Sequence, residues 1–182
     1  MSVEETKRLS PPSAIQKVDE TGRFEGYAAI FDQVDQGGDI VLPGAFRKSL
    51  AGRGVAGIKL LWQHDPAEPI GGFDAIAEDV RGLHVRGQLL LDVQRAREAL
   101  ALLRIGAIDG LSIGYKTVAS SIDAATGIRT LSEIDLWEIS LVTFPMQDAA
   151  RVARVKAESD ESDLAGLLAC LRTLSRRFRS EV

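Results

Sequence analysis

A single cysteine, two histidines and two tyrosines in 182 residues narrow what this chain can be. Cys170 has no second thiol to pair with, so an internal disulfide is excluded, in keeping with a reducing compartment. His64, His84 and that one thiol cannot supply a zinc-type ligand spacing, and neither a metal nor another cofactor is expected. Long apolar runs are missing as well. The opening MSVEETKRLSPPSAI lacks the apolar core of a secretory signal, and no later stretch approaches the roughly 20 apolar residues of a membrane span. The expectation is a chain that stays in the cytoplasm and makes no membrane contact. Positive charge is not in excess either. Against 22 Lys and Arg stand 26 Asp and Glu, a net charge of −4, which gives no reason to expect nucleic acid as a partner. What is present, 45% hydrophobic residues, is the composition of a globular protein, and the length suits one well-packed domain with an appendage.

After a polar leader over residues 1–22, RFEGYAAIF alternates as a first strand. DQVDQGGDIVLPGAF is dense in Asp and Gly and reads as a long loop. Pro43 suits the first turn of a short helix, AFRKSL, that Gly52 and Gly54 end. IKLLWQ, PIGGFDAIAED and GLHVRGQLLL read as strands, separated by the turn signals HDPAEP and EDVRG. The spacing predicts a helix over Val93–Arg104, capped by Asp92 and ended by Gly106, with Val93, Ala96, Leu100 and Leu103 on one face. LSIGYKTVAS and GIRTLSEIDLWEISLVTF follow as strands, the second broken near Asp135, with DAATG as the hairpin turn between them. This is a mainly β, α+β pattern, mostly antiparallel, closer to a barrel or sandwich than to a Rossmann sheet.

Past Val155 the character changes. Residues 156–163, KAESDESD, predict a flexible acidic linker. Residues 164–182 then place Leu164, Leu167, Leu171, Leu174 and Phe178 at heptad-like steps, an amphipathic helical tail. So short a helix needs a partner surface, either its own domain or a second copy or scaffold.

GLSIG, residues 110–114, spells the G-x-S-x-G of a nucleophilic serine at Ser112. The α/β-hydrolase form of that motif needs a helix after the serine and a histidine downstream. Here a β-rich IGYKTVASS follows, and both histidines precede it. A serine nevertheless needs a base, usually a histidine oriented by a third group. His64, in LLWQHDPAEP where a strand gives way to a loop, is one candidate, the alternative being a solvated loop histidine. His84, between Leu83 and Val85, reads as a structural surface residue. In IDLWEISLVTF, period-2 alternation puts Ile134, Leu136, Val142 and Phe144 on a face with Glu138, and Trp137, Ile139 and Leu141 on the other. Both faces are apolar, so Glu138 is expected to be buried and to need a partner, either a histidine or an arginine such as Arg129 or Arg104.

GYAAIFDQVDQGGDIVLPGAF, LLWQHD, DGLSIGY and WEISLVTFPM, in this order and at this spacing, resemble the prohead (capsid maturation) serine proteases of tailed bacteriophages and phage-like particles. The resemblance runs over residues 23–155. It implies a fold like the herpesvirus assembly protease, a β-barrel surrounded by helices, with site residues in the order histidine, serine, third member. Carried over by position, His64 is the general base, Ser112 the nucleophile and Glu138 the third member. No histidine follows Ser112, so an acidic triad is implied where the herpesvirus enzymes use a second histidine. The loop PMQDAAR falls where the oxyanion donors would be, with the backbone N–H groups of Met146 or Gln147 as candidates. The implied substrates are the major capsid protein and scaffold segments inside the assembling prohead in the bacterial cytoplasm, and the protease itself, with KAESDESD as an exposed self-cleavage region. Relatives of the herpesvirus type act as dimers, so a homodimer or higher oligomer is implied by analogy. Two other readings stand beside this one: a noncatalytic scaffold or capsid-assembly accessory protein using the heptad tail, and a serine esterase, which the missing HGGG-like oxyanion motif disfavours.

Overall fold

The computed structural model describes residues 18–152. The linker and helical tail expected at 156–163 and 164–182 lie outside the described residues, as does most of the leader. Seven strands and two helices follow in the order β1 (Arg23–Ile30), β2 (Asp39–Val41), α1 (Arg47–Gly57), β3 (Lys59–Trp62), β4 (Asp65–Glu78), β5 (Gly82–Leu89), α2 (Gln94–Ile105), β6 (Gly110–Ile122) and β7 (Arg129–Val142). The result is a mixed α+β fold, mostly strands, as the pattern indicated.

The strands form one sheet in the order β1-β5-β4-β3-β7-β2, with β6 on the other edge of β7. Neighbours are antiparallel except that β2 and β3 both run parallel to β7. Inward residues on these strands make the core: Phe24, Leu60, Ile70, Leu83, Val85, Leu111, Leu131, Ile134, Leu136, Ile139 and Leu141 are all buried. The sheet curls until β1 and β6, at opposite ends of the strand order, come close. Residues 150–152 fill the gap between them: Leu111 N–H donates to Ala150 O (2.9 Å) and Val152 N–H to Asp109 O (2.7 Å), while Tyr27 N–H donates to Arg151 O (3.3 Å). Gly26 permits this seam, because a Cβ there would overlap the Arg151 carbonyl. The molecule is thus a curled half-barrel, with two helices among the described residues in place of the surrounding set that the resemblance implied.

Several boundaries differ from expectation for identifiable reasons. The predicted loop before Pro43 contains β2, three residues that pair with the start of β7. The short helix begins at Arg47, after Pro43, and continues past Gly52 through a kink at Gly54 (φ 64°, ψ 171°). Tertiary contacts carry it there against its propensity: Ser49 bonds to Leu136 and Arg53 forks onto Asp135, both on β7. HDPAEP is no broad turn, since β4 starts at Asp65 and absorbs the prolines. Helix α2 has Val93, not Asp92, at its N-cap, with no side-chain capping bond, and its buried face is Ala96, Ala99, Leu100 and Leu103. β7 is continuous through Asp135. The DAATG turn is as expected, tied by Asp123 Oδ1 to the Ala125 and Thr126 N–H groups (2.9 and 2.8 Å).

Candidate active site

β3 runs alongside β7 and delivers the chain to a two-residue turn, Gln63-His64, that reverses it into β4. Both turn residues have positive φ, 52° and 61°. A tight hairpin turn of this hand is ordinarily made by Asn and Gly, so a Gln-His pair carries backbone strain that the surroundings must hold in place. β7 holds it. Gln63 N–H donates to Leu141 O (2.9 Å), the Gln63 side chain bonds Thr143 Oγ1 (2.8 Å), and His64 N–H donates to Ser140 Oγ (3.1 Å).

The strained turn aims the His64 ring back along β7, where Nδ1 meets Glu138 Oε1 at 2.6 Å. The two side chains, 42% and 13% exposed, come from positions 74 residues apart. Glu138 therefore has the histidine partner, not the arginine one: Arg129 pairs with Asp39, and Arg104 lies near Glu20. Its second oxygen, Oε2, accepts from Ser140 Oγ–H at 2.7 Å.

Glu138 does not share a face with Ile134 and Leu136, as strict alternation predicted. The β6–β7 register pairs Gly114 with Glu138 but Tyr115 with Leu136, so Trp137 is an extra residue, a β-bulge. Below the bulge Ile134 and Leu136 point into the core, and above it Ile139 and Leu141 do, which turns Glu138 to the opposite face. Trp137, expected beside Ile139 and Leu141, is 51% exposed, and Phe144 lies exposed past the strand end. Ser49 on α1 accepts from the Leu136 N–H that the bulge displaces (2.8 Å). Gly114 lies under the carboxylate, and a Cβ at this position would overlap Glu138 Oε1 and Cδ.

Ser112 pairs with Ser140 across β6 and β7, on the same face as Gly114 and Glu138. Directly opposed residues in such a ladder have Cβ atoms about 4.5–5.5 Å apart, which brings the Ser112 side chain beside the His64–Ser140–Glu138 cluster. Ser140 is fully buried and both its hydrogen-bonding directions are used. Ser112 is 5% exposed, its hydroxyl makes no hydrogen bond among the described residues, and no sealed side-chain polar atom there lacks one. Its Oγ therefore keeps some solvent contact, whereas Ser140 is 0% exposed.

A cavity of about 90 Å³ adjoins it, lined by Ser112, Ala28, Val41, Tyr115, Met146 and Gln147 among others. The Gln147 side chain fixes this loop to β1 through Ile30 N–H (2.7 Å) and Ile30 O (3.0 Å). The backbone N–H groups of Met146 and Gln147 donate to nothing among the described residues. At the cavity's acidic side the Arg129 guanidinium holds the Asp39 carboxyl below the usual carboxylate range, and burial, with Asp39 beside it, pushes the Tyr115 hydroxyl up to about 12. His84 stands apart from this cluster, edge-on to Tyr27 at 5.1 Å on β1 and β5. No three His, Cys, Asp or Glu side chains among the described residues converge as metal ligands would. Sequence reading missed Gln63 and Ser140. The pairing of Ser140 with Ser112 needed the register, and a Gln-His turn carries no turn signature.

Comparison with known proteins adds an independent line. The profile of the caudovirus prohead serine proteases matches residues 12–164. The prohead protease of Enterobacteria phage HK97 is 37% identical over 138 residues, 75% of this chain and 61% of that protein. A capsid polyprotein of Pseudomonas phage PAJU2 is 32% identical over 115 residues, 59% of this chain and 17% of its own length. The chain thus spans less than two thirds of either relative. The capsid assembly protease gp21 of bacteriophage T4 superposes with a TM-score of 0.52 at 13% identity, covering 66% of this chain and 82% of that one, a likeness of fold.

Proposed function

Because the chain belongs to the caudovirus prohead serine protease family, we propose that it is a serine endopeptidase that cleaves capsid and scaffold proteins as a prohead matures. One observation carries the reading: His64 and Glu138 meet at 2.6 Å on the face of the sheet that bears Ser112. Residues 23–155 are the catalytic domain, its curled half-barrel of the herpesvirus-assembly-protease type.

The chemistry follows from the proton positions. With Nδ1–H donated to Glu138, the His64 ring presents Nε2 as a base. Nε2 takes the Ser112 hydroxyl proton as Oγ attacks the scissile carbonyl, forming the C–O bond of a tetrahedral intermediate. Glu138 stabilises the imidazolium that results. That imidazolium then protonates the departing amine as the C–N bond breaks, leaving an acyl-enzyme that water hydrolyses by the same route. The oxyanion requires preorganised donors. Met146 and Gln147 N–H groups suit that role because these residues line the cavity beside Ser112 and their N–H groups donate to nothing among the described residues.

The substrates proposed are the major capsid protein and scaffold segments, acted on within the assembling prohead in the host cytoplasm. The linker KAESDESD is a self-cleavage region whose scission releases residues 164–182, and Leu164, Leu167, Leu171, Leu174 and Phe178 form an oligomer contact. A fluorophosphonate probe tests the catalytic part. Covalent labelling mapped to Ser112, absent in Ser112→Ala and in His64→Ala, is expected. An unlabelled but folded chain would favour a noncatalytic assembly role.

A further inference from the structure

One hydroxyl bonds both His64 and Glu138 yet takes part in no step of the chemistry above. We propose that Ser140 is a positioning residue that locks the strained His64 turn to the Glu138 carboxylate, a role that rests on the protease reading. Its Oγ accepts from His64 N–H (3.1 Å) and donates to Glu138 Oε2 (2.7 Å). A single atom thus fixes the backbone of the base and the side chain of its orienting acid at once.

The carboxylate then has one oxygen committed to Ser140 and the other to Nδ1 of the ring. With both oxygens anchored, the plane of the carboxylate cannot rotate, and Nδ1 keeps its proton so that Nε2 is the free lone pair. Ser140 itself is 0% exposed, so it cannot meet a substrate, and its effect must pass through His64 and Glu138. The His64 backbone sits in the left-handed region at φ 61°, a conformation that relaxes unless it is held. Gln63 holds the neighbouring residue, but among the described residues the His64 N–H has no acceptor other than Ser140.

The experiment compares wild type, Ser140→Ala and Ser112→Ala with a fluorophosphonate probe, separating the maximal inactivation rate from the probe's binding constant. Loss of a hydrogen bond to a charged group should lower the maximal rate about 10- to 100-fold while probe binding stays unchanged. Nitrogen-15 spectra of the His64 ring, taken in the Ser112→Ala background, should show the Nδ1-protonated tautomer with Ser140 present and a tautomer mixture in Ser140→Ala. Should Ser140→Ala not fold, Ser140→Thr against Ser140→Val reads the hydroxyl at equal volume, and the Thr chain alone should react. Hydrogen exchange at the His64 amide of the unaltered chain needs no variant, and protection is expected. Wild-type reactivity in Ser140→Ala with an unchanged His64 spectrum, equal Thr and Val chains, or an unprotected amide would overturn the role while leaving the protease reading intact. A wild type that never labels at Ser112 would instead remove the reading on which the role depends.

Discussion

At the scale of single residues, the cluster is governed by what each atom has left to bond. Ser112 and Ser140 oppose one another, yet of the two only the Ser112 hydroxyl is uncommitted among the described residues, and Ser112 lines a cavity. Glu138→Gln keeps the size but offers an amide in place of the anion, so the ring loses both its tautomer control and its counter-charge. The expected result is a fall in kcat of about 10⁴-fold on a cleavable peptide, with KM little changed and the fold intact by circular dichroism. Gly114→Ala is the smallest steric test. Its methyl would occupy the space of the Glu138 carboxylate, which must move off His64. Activity should drop at least about 100-fold, whereas thermal unfolding should show a loss of only about 1–3 kcal/mol.

At the scale of elements, the bulge at Trp137 decides which way Glu138 faces, and α1 keeps the bulge in place. Ser49 satisfies the displaced Leu136 N–H, and Arg53 forks onto Asp135 and lies over the Trp137 ring at 5.9 Å. Ser49→Ala should therefore cost about 1–3 kcal/mol in urea unfolding, the penalty for a buried donor without a partner. β2, β6 and β7 are tied by Tyr115, Asp39 and Arg129: the phenol and the guanidinium both donate to the Asp39 carboxylate. Because the folded chain keeps the Tyr115 proton up to about pH 12, against 10.0 for the free group, the unfolded chain releases it first. Stability from this group is whole below pH 10 and is lost as pH rises toward 12. Unfolding followed alongside the phenolate absorbance should show the two changes together, and Tyr115→Phe should flatten the fall in stability.

The same scale explains what the sequence could disclose. Strand β5, helix α2 and the DAATG hairpin announce themselves through period and turn residues, because local chemistry decides them. The family-like motifs around His64, Ser112 and Glu138 singled these residues out as candidates. Their relative geometry was not legible, since it depends on a one-residue bulge that reverses the alternation within a single strand. α1 likewise outran its glycines because contacts with β7, invisible in the local sequence, hold it. Ser140 looks like an ordinary polar residue in an apolar run until the register sets it against Ser112.

At the scale of the whole molecule, the strand order around β7 assembles the candidate site. β3 and β6 lie on opposite edges of β7, so the histidine arrives from one side and the serine from the other, while β7 supplies the acid between them. Residues 150–152 close the seam between β1 and β6 and bring the preceding Met146 and Gln147 to the cavity beside Ser112. Proteolysis of capsid protein by Ser112 is read out by coexpressing this chain with the major capsid protein of its own particle, in parallel with Ser112→Ala, and measuring intact masses. A shortened capsid protein, and a shortened protease cut within 156–163, are expected with the wild type only. Full-length masses for both variants while particles still assemble would contradict the proposed proteolysis.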